Sequence, residues 1–204
     1  MKPTHSLKSI MGHTEEISMT SWDIIKYIEW IEKKDPLTCS HCSKSAEYAI
    51  FLGKNIALAA DELAVLSIAA PLHDLGKIKV PDEILGKPAS LTQEEFKVIQ
   101  CHPLWGAEMI LDNAGKNLDW LRVAEIILNH HERFDGCGYP AGIGGRQIPF
   151  LAQIVSIADA YDAMTSDRPY RSAMSEEQAR RILQHEGGKQ FHPDLVEEFV
   201  RLIA

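Results

Sequence analysis

The chain has 204 residues, with 21 Lys plus Arg against 29 Asp plus Glu, and a formal net charge of −8 at pH 7. This length suits one domain with an appendage and can bury a sizeable core without disulfides or a structural metal. A hydrophobic content of 45% and a charged content of 25% exclude a disordered chain. The negative charge disfavours long nucleic acid as a partner, although a locally positive cleft could still bind a small anion.

The predicted elements are helical almost throughout. The first helix spans 20–33, where Ile24, Ile25, Ile28 and Ile31 repeat at the spacing of one helical face. The second runs over about 38–52, before Gly53 as a C-terminal cap. Asp61 is expected to cap a third helix that reaches His73, and a proline near its end should kink the last turn.

Helix start signals continue along the rest of the chain. Capping boxes begin at Thr92 and Ser175, and Pro103 and Pro193 suit the first turns of two further helices. The remaining spans are a helix over 119–131, a glycine-rich loop over 134–149 and a helix over about 149–164. Since alternating strand patterns are absent, the predicted fold class is all-α.

The apolar runs, the cysteines and the N-terminal segment predict the compartment and the domain organisation. Asp61 and Glu62 interrupt the longest apolar run, which falls short of the roughly 18 residues of a membrane span, and the first residues lack the core of a signal peptide. The four cysteines suit free thiols, including the C-x-x-C pair Cys39 and Cys42, so a cytoplasmic location is expected. Residues 1–35 are predicted as an N-terminal extension whose helix packs on the domain or forms a homodimer, and 36–204 as the main domain.

Histidines and aspartates carry the candidate chemistry. Five histidines lie on helices, or at their ends, that otherwise suit a core: His41, His73, His102, His130 and His131. Asp74 follows the second of them, and Asp159 interrupts an apolar run where an unpaired carboxylate is costly. Imidazole with carboxylate suits Fe, Mn, Co, Ni or Zn better than Ca or Mg. A single such histidine is more often an ordinary core residue, but the whole set predicts a metal centre.

Three ordered segments carry a resemblance to a known family. They are PLHDLGKIKVPDEILGKPASLTQEEFKVIQCHPLWGAEMI, HHERFDGCGYPAGIGGRQIP and IADAYDAMTSDRPYR. Over about 36–200 the chain resembles the HD-GYP branch of the HD metal-dependent phosphohydrolases. The resemblance implies an HD-superfamily helical bundle with a short N-terminal helical extension. It also implies hydrolysis of cyclic di-GMP to linear pGpG, with GMP as a further product, through a metal-bridging hydroxide at a dinuclear centre.

The same resemblance implies a ligand set for two divalent transition-metal ions, with Fe or Mn preferred and Ni, Co or Zn as alternatives. One ion would be held by His41, His73, Asp74 and Asp159, and the other by Asp74, His102, His130 and His131. The carboxylate of Asp74 would bridge the two. Some members carry a glutamate for a third metal where this chain has Leu37, so two metals are expected.

Substrate contacts are also implied by the motifs. Lys77 lies three residues after Asp74 and faces the same way on a helical turn, so both are candidate catalytic residues. Gly138, Tyr139 and Pro140 form the signature loop, expected to shape the cleft or to dock a signalling protein. Arg168 and Arg171 suit phosphate binding, with pairing to Asp159, Asp162 and Asp167 as the competing interpretation.

Two other functions stay open at this point. The signature loop does not choose between dinucleotides, so hydrolysis of a hybrid cyclic GMP–AMP is an alternative. A metal-stabilised sensor that binds cyclic di-GMP without efficient turnover is another.

Overall fold

The computed structural model describes residues 21–114, 117–167 and 172–204. The α-helices are α1 (Ser21–Lys34), α2 (Pro36–Asn55), α3 (Ala60–Ala69), α4 (Asp82–Leu85), α5 (Gln93–Ile99), α6 (His102–Ala114), α7 (Leu118–Asn129), α8 (Phe150–Thr165), α9 (Glu176–Glu186) and α10 (Pro193–Leu202). Short 3-10 helices cover Ala70–Leu72, Leu75–Lys79 and Gly145–Gln147. Within the described ranges there is no strand, and one isolated bridge pairs Gly187 with Phe191. The all-α fold class is confirmed.

The core lies where α2 packs on α8 and α6 packs on α7. Apolar side chains from several helices are fully buried there, among them Leu52, Leu66, Ile127, Ile154 and Phe199. Burying such a side chain stabilises the fold by roughly 1.5–3 kcal/mol relative to leaving it exposed. The 3-10 turn Leu75–Lys79 packs against α6, so the segment after α3 is held inside this core.

Helix α1 packs on the domain through one apolar face. Ile24, Tyr27 and Ile31 are buried, and the Tyr27 hydroxyl donates to the Met109 carbonyl at 2.9 Å. Ile25 was expected on this face but is 43% exposed. The buried positions repeat every three to four residues, so the residue next to Ile24 points away from the domain. The division at residue 35 stays a prediction, and residues 1–20 lie outside the described part.

Gly53 does not end the second helix as predicted, because α2 continues to Asn55. A Cβ on Gly53 would lie 2.9 Å from the Leu58 side chain. The glycine therefore permits close packing of the loop that follows the helix, rather than a cap.

The third helix is shorter than predicted. Asp61 does not cap it, because the helix begins one residue earlier and Ala59 is the N-cap. The Glu62 carboxylate accepts the Ala59 N–H at 3.1 Å. The helix ends at Ala69 rather than at His73. Pro71 has no N–H to continue the α-helical pattern, so the chain changes to a 3-10 turn.

Both predicted capping boxes are confirmed. Thr92 and Ser175 each cap a helix, and each exchanges hydrogen bonds with the residue three positions later. Pro103 and Pro193 lie in the first turns of α6 and α10. Of the helices that the structure describes, none combines the length and apolar character needed to cross a bilayer.

Candidate metal centre and cleft

The seven predicted ligands come from distant parts of the chain and meet in one place. His41 lies on α2, His73 and Asp74 follow the Ala70–Leu72 turn, and Asp159 lies on α8. His102 begins α6, whereas His130 and His131 follow α7. Ligand atoms of Asp74, His102, His130 and His131 lie within 4.8 Å of one another, as do those of His41, His73 and Asp74. Asp74 belongs to both groups.

Three imidazoles are oriented by their own backbone. In His73, His102 and His130, Nδ1 donates to the carbonyl of the residue three positions earlier, at 2.8, 2.7 and 2.6 Å. A carbonyl only accepts, so Nδ1 carries the hydrogen and Nε2 keeps its lone pair. Metal-ligating histidines are commonly oriented by such a hydrogen bond on the other ring nitrogen.

The inward-facing atoms of this group are arranged as metal donors. Nε2 of His102 and Nε2 of His130 face each other at 3.3 Å, an arrangement of two lone pairs that a shared positive ion would relieve. Nε2 of His73 and Oδ1 of Asp74 are buried without a hydrogen-bond partner among the described residues. Buried polar atoms without partners are costly, and the four atoms are donors of the type that transition metals bind. The residues present therefore fit a metal ion.

His41 is oriented differently, by carboxylates from α8. Its Nδ1 donates to Asp162 Oδ2 at 2.6 Å, and its Nε2 bonds Asp159 Oδ1 at 2.8 Å. Burial opposes protonation, but hydrogen bonds to Asp159 and Asp162 raise the pKa of His41 to about 9. Oδ1 of Asp159 also lies 3.9 Å from Nε2 of His73. The buried carboxylate of Asp162 and the partly buried one of Asp159 favour positive charge here, which a bound cation would supply.

Asp74 is ionised and is held by Lys77. The Lys77 ammonium donates to Asp74 Oδ2 at 2.6 Å, and Nε2 of His102 lies 3.1 Å from Oδ1. Although burial favours the neutral acid, the charge of Lys77 holds the pKa of Asp74 well below its usual range. Asp74 in turn raises the pKa of Lys77 against the effect of burial.

Burial favours the neutral form of three other imidazoles, those of His73, His130 and His131, and the neutral form is the one that binds metals. Burial lowers the pKa of His73 and lowers that of His130 well below its usual value. It lowers the pKa of His131 to about 3. His73, His130 and His131 therefore favour the deprotonated form that a divalent cation requires.

Sequence reasoning missed the partner of His41. Asp162 was considered only as a partner for arginine, yet its side chain is buried and bonds the imidazole. The signal was its position three residues after Asp159 on the same helix, which places both carboxylates on one face. Asp162 Oδ1 also accepts from the Ser166 hydroxyl at 2.8 Å.

The signature loop lies against the histidine pair. The Tyr139 N–H donates to the His131 carbonyl at 3.3 Å, and the two rings are 4.9 Å apart. A Cβ on Gly138 would lie 2.6 Å from the same carbonyl, so only glycine permits this approach. Pro140, after a cis peptide bond, is exposed.

Sequence reasoning also missed Glu132, which holds this loop. Its carboxylate is buried and accepts the backbone N–H groups of Ala141 at 2.6 Å and Gly142 at 3.1 Å. The available signal was an acidic residue directly after two candidate ligands. Glu132 fixes the loop that carries Tyr139 against the histidine pair.

A second glycine sets the distance between two ligand-bearing segments. A Cβ on Gly76 would lie 2.0 Å from the His102 carbonyl oxygen and 2.6 Å from the Gly106 nitrogen. Both are backbone atoms and cannot move aside cheaply. The absence of a side chain at Gly76 therefore lets the turn after Asp74 approach the first turn of α6.

A cleft of 460 Å³ opens beside the candidate ligands. His41, Lys77 and Asp162 line it, together with Lys34, Lys44 and Ser166. Leu37, which is exposed, also lines it. Arg168 and Arg171, predicted to bind phosphate, lie outside the described residues.

Comparison with known proteins gives the family. The HD domain family model matches residues 27–195. The chain is 38% identical over 172 residues to the cyclic di-GMP phosphodiesterase response regulator RpfG of Xanthomonas campestris, covering 84% of this chain and 45% of that protein. It is 38% identical over 168 residues to the 3'3'-cGAMP-specific phosphodiesterase 2 of Vibrio cholerae, covering 82% of this chain and 32% of that protein.

A solved structure shows the same fold. An HDG"Y"P protein from Bdellovibrio bacteriovorus superposes with a TM-score of 0.68 at 19% identity, covering 97% of this chain and 67% of the other. The chain belongs to the HD domain family. The resemblance to its HD-GYP branch is confirmed. The chain spans less than half the length of the two curated relatives named above.

Proposed function

We propose that this chain is a metal-dependent phosphodiesterase that hydrolyses cyclic di-GMP to linear pGpG, with GMP as a further product. The observation that carries the proposal is the pair of ligand groups that share Asp74, beside a cleft lined by His41 and Lys77. The similarity to a protein named as a cyclic di-GMP phosphodiesterase supports the choice of substrate.

In this proposal two divalent cations bind the histidine and aspartate cluster. One would be held by His41, His73, Asp74 and Asp159, and the other by Asp74, His102, His130 and His131. Bound divalent cations supply Lewis-acid stabilisation of phosphate charge and lower the pKa of water. Imidazole and carboxylate donors support Fe or Mn, with Ni, Co or Zn as alternatives.

Lys77 is the proposed catalytic cation of the chain itself. Its ammonium is kept protonated beside Asp74 and lines the cleft. A fixed ammonium there is suited to a nonbridging phosphate oxygen, where negative charge increases in the transition state. Asp74 orients Lys77 through the 2.6 Å hydrogen bond.

The signature loop and the arginine motif complete the proposed substrate site. Tyr139 lies beside His131 and is suited to contact the substrate, while Gly138 and Pro140 shape the loop that carries it. Arg168 and Arg171 are proposed to bind phosphate, on the chemistry of the guanidinium group. Docking of a signalling protein at the loop and a homodimer are further proposals.

The test is turnover by protein purified without oxygen and loaded separately with Fe(II) or Mn(II). We expect chromatography to show conversion of cyclic di-GMP to pGpG, and metal analysis to show about two ions per chain. Asp74→Ala should abolish both. Tight binding of cyclic di-GMP with no turnover under any of these metals would instead favour the sensor function.

One alternative substrate has support of its own. The 3'3'-cGAMP-specific relative from Vibrio cholerae is as similar in identity as the Xanthomonas protein. Comparing kcat/KM for cyclic di-GMP and 3'3'-cGAMP under the same metal decides between them, and we expect the larger value for cyclic di-GMP.

A further inference from the structure

The proposed substrate has two phosphodiesters, and among the described residues the candidate centre accounts for one of them. Arg168 and Arg171, proposed above to bind phosphate, lie outside the described residues. His41, one of the candidate ligands, and Lys77 both line the cleft. A cyclic dinucleotide places its second phosphate on the other side of the ring, away from the reacting one. That phosphate is charged and needs a cation or hydrogen-bond donors if it is to leave water without penalty.

Lys44 is suitably placed for this role. It lies one helical turn after His41 on α2, so both residues face the same side of the helix. Both line the cleft. The Lys44 side chain is exposed, and its ammonium donates to the Ser166 hydroxyl at 3.1 Å.

The other lysines of the cleft are paired with acids. Lys34 contacts Asp82, and Lys77 contacts Asp74. For Lys44, no ion pair with a carboxylate is found among the described residues. A phosphate can therefore bind the Lys44 ammonium without breaking an ion pair with a carboxylate.

Two further acids of the cleft have polar partners of their own. Asp35 accepts the Leu37 N–H at 3.1 Å and the Thr38 hydroxyl at 2.7 Å, and so caps α2. Asp167 accepts the Ala173 N–H at 2.9 Å. These carboxylates fix backbone at the cleft margin, so their oxygens already have hydrogen-bond donors.

We propose that Lys44 binds the second, non-reacting phosphate of the cyclic dinucleotide, and so selects for a substrate with two phosphodiesters. This inference rests on the proposed function. A lysine ammonium is a compact charge on a flexible stem, so it can exchange the Ser166 hydroxyl for a phosphate oxygen. Lys44 is thus a specificity-determining residue that lies outside the ligand cluster.

A structural role for Lys44 makes a different prediction. Lys44 donates to Ser166 at 3.1 Å, Ser166 donates to Asp162 at 2.8 Å, and Asp162 bonds His41 at 2.6 Å. If Lys44 acted through this chain on His41, its loss would affect every phosphodiester substrate equally. Substrate comparison therefore separates the two roles.

The experiment compares cyclic di-GMP with bis(p-nitrophenyl) phosphate, which has a single phosphodiester, on the metal-loaded protein. We expect Lys44→Ala to lower kcat/KM for cyclic di-GMP about tenfold more than for the small substrate, since a charge-assisted contact is lost. The loss should appear mainly in KM. Lys44→Arg should recover most of it, and Lys54→Ala, an exposed lysine on the same helix outside the cleft, should match the wild type.

Equal losses on both substrates, or no loss on either, would overturn the proposal. Inhibition of bis(p-nitrophenyl) phosphate hydrolysis by cyclic di-GMP supplies a binding constant that does not depend on turnover. If the wild type binds cyclic di-GMP without cleaving it, and Lys44→Ala weakens that inhibition, then the phosphodiesterase function fails while the role of Lys44 stands.

Discussion

The two halves of the candidate metal centre are oriented by different means. In the half formed by Asp74, His102, His130 and His131, the His102 and His130 rings each bond a carbonyl of their own turn. In the other, His41 bonds Asp162, which lies 121 residues later in the chain. The first half is therefore oriented by local backbone. The second half exists only when α2 and α8 are docked.

This difference has a consequence for substitution. A backbone carbonyl cannot be removed by changing a side chain, so no substitution of a neighbouring residue deletes the hydrogen bonds that orient His102 and His130. The second half depends on the Asp162 carboxylate and can be disrupted from outside the ligand set. Asp74 joins the halves, because its oxygens face both ligand groups.

The largest effect is expected for Asp74→Ala, which removes the residue common to both halves. Metal affinity should fall beyond the roughly 10–100-fold that loss of an orienting partner costs, and hydrolysis should be lost with it. Metal content after dialysis, measured by mass spectrometry, checks this. Asp61→Ala, at an exposed carboxylate that pairs with Arg122, is the control, and a variant at Asp74 that retained both ions would disprove the shared role.

Asp162→Ala tests the half that depends on tertiary contacts. Loss of the carboxylate that orients His41 should weaken one of the two ions by about 10–100-fold, and spare the other. Titration with a chelator of known affinity resolves the two. Asp162→Asn keeps an acceptor oxygen and should lose less, while Asp167→Asn, whose side chain bonds Ala173, should behave as the wild type. Equal weakening of both ions would show that the halves are not independent.

Glu132→Ala tests how the signature loop is attached to the local half. The two N–H groups that its carboxylate accepts would lose their partner, and the free energy of unfolding should fall by about 1–3 kcal/mol. Hydrogen exchange should accelerate at Ala141 and Gly142. Glu132→Gln retains an acceptor oxygen, so its free energy of unfolding should fall less. Unchanged exchange in Glu132→Ala would mean that the loop is held by other contacts.

The smallest effect is expected for Tyr27→Phe, which removes the hydrogen bond from α1 to the Met109 carbonyl on α6. Losing the hydrogen bond to the Met109 carbonyl should lower the free energy of unfolding by about 1 kcal/mol, with metal content unchanged. Denaturant unfolding measures this. Ile25→Ala on the same helix is the control and should stay within about 0.5 kcal/mol of the wild type, since Ile25 is largely exposed. A loss of metal in Tyr27→Phe would show that α1 supports the centre directly.

The sequence predicted helix starts best where a side chain caps the first turn through hydrogen bonds. The capping boxes at Thr92 and Ser175 were right because each donor and acceptor lies within one turn. The end of α2 was wrong, because Gly53 serves close packing against Leu58. A glycine's use depends on what surrounds it, and that information is not local.

The candidate site shows the same limit. Motif order brought the seven ligand candidates to notice, and the structure does bring their side chains together. Asp162 and Glu132 were not predicted, because the role of a buried carboxylate can be inferred only once the groups that it bonds are known. Those partners are the His41 ring in one case and two loop N–H groups in the other.

By itself, the sequence determined the all-α class, the helix starts and the residue types that suit a metal centre, since periodicity and capping act over a few residues. Only the tertiary structure decided which carboxylate orients His41 and which acid accepts the N–H groups of the signature loop. It also decided which lysine of the cleft has no carboxylate partner among the described residues. These outcomes depend on distances between segments far apart in the chain. Such distances are set by the packing of helices against one another, and no local pattern encodes them.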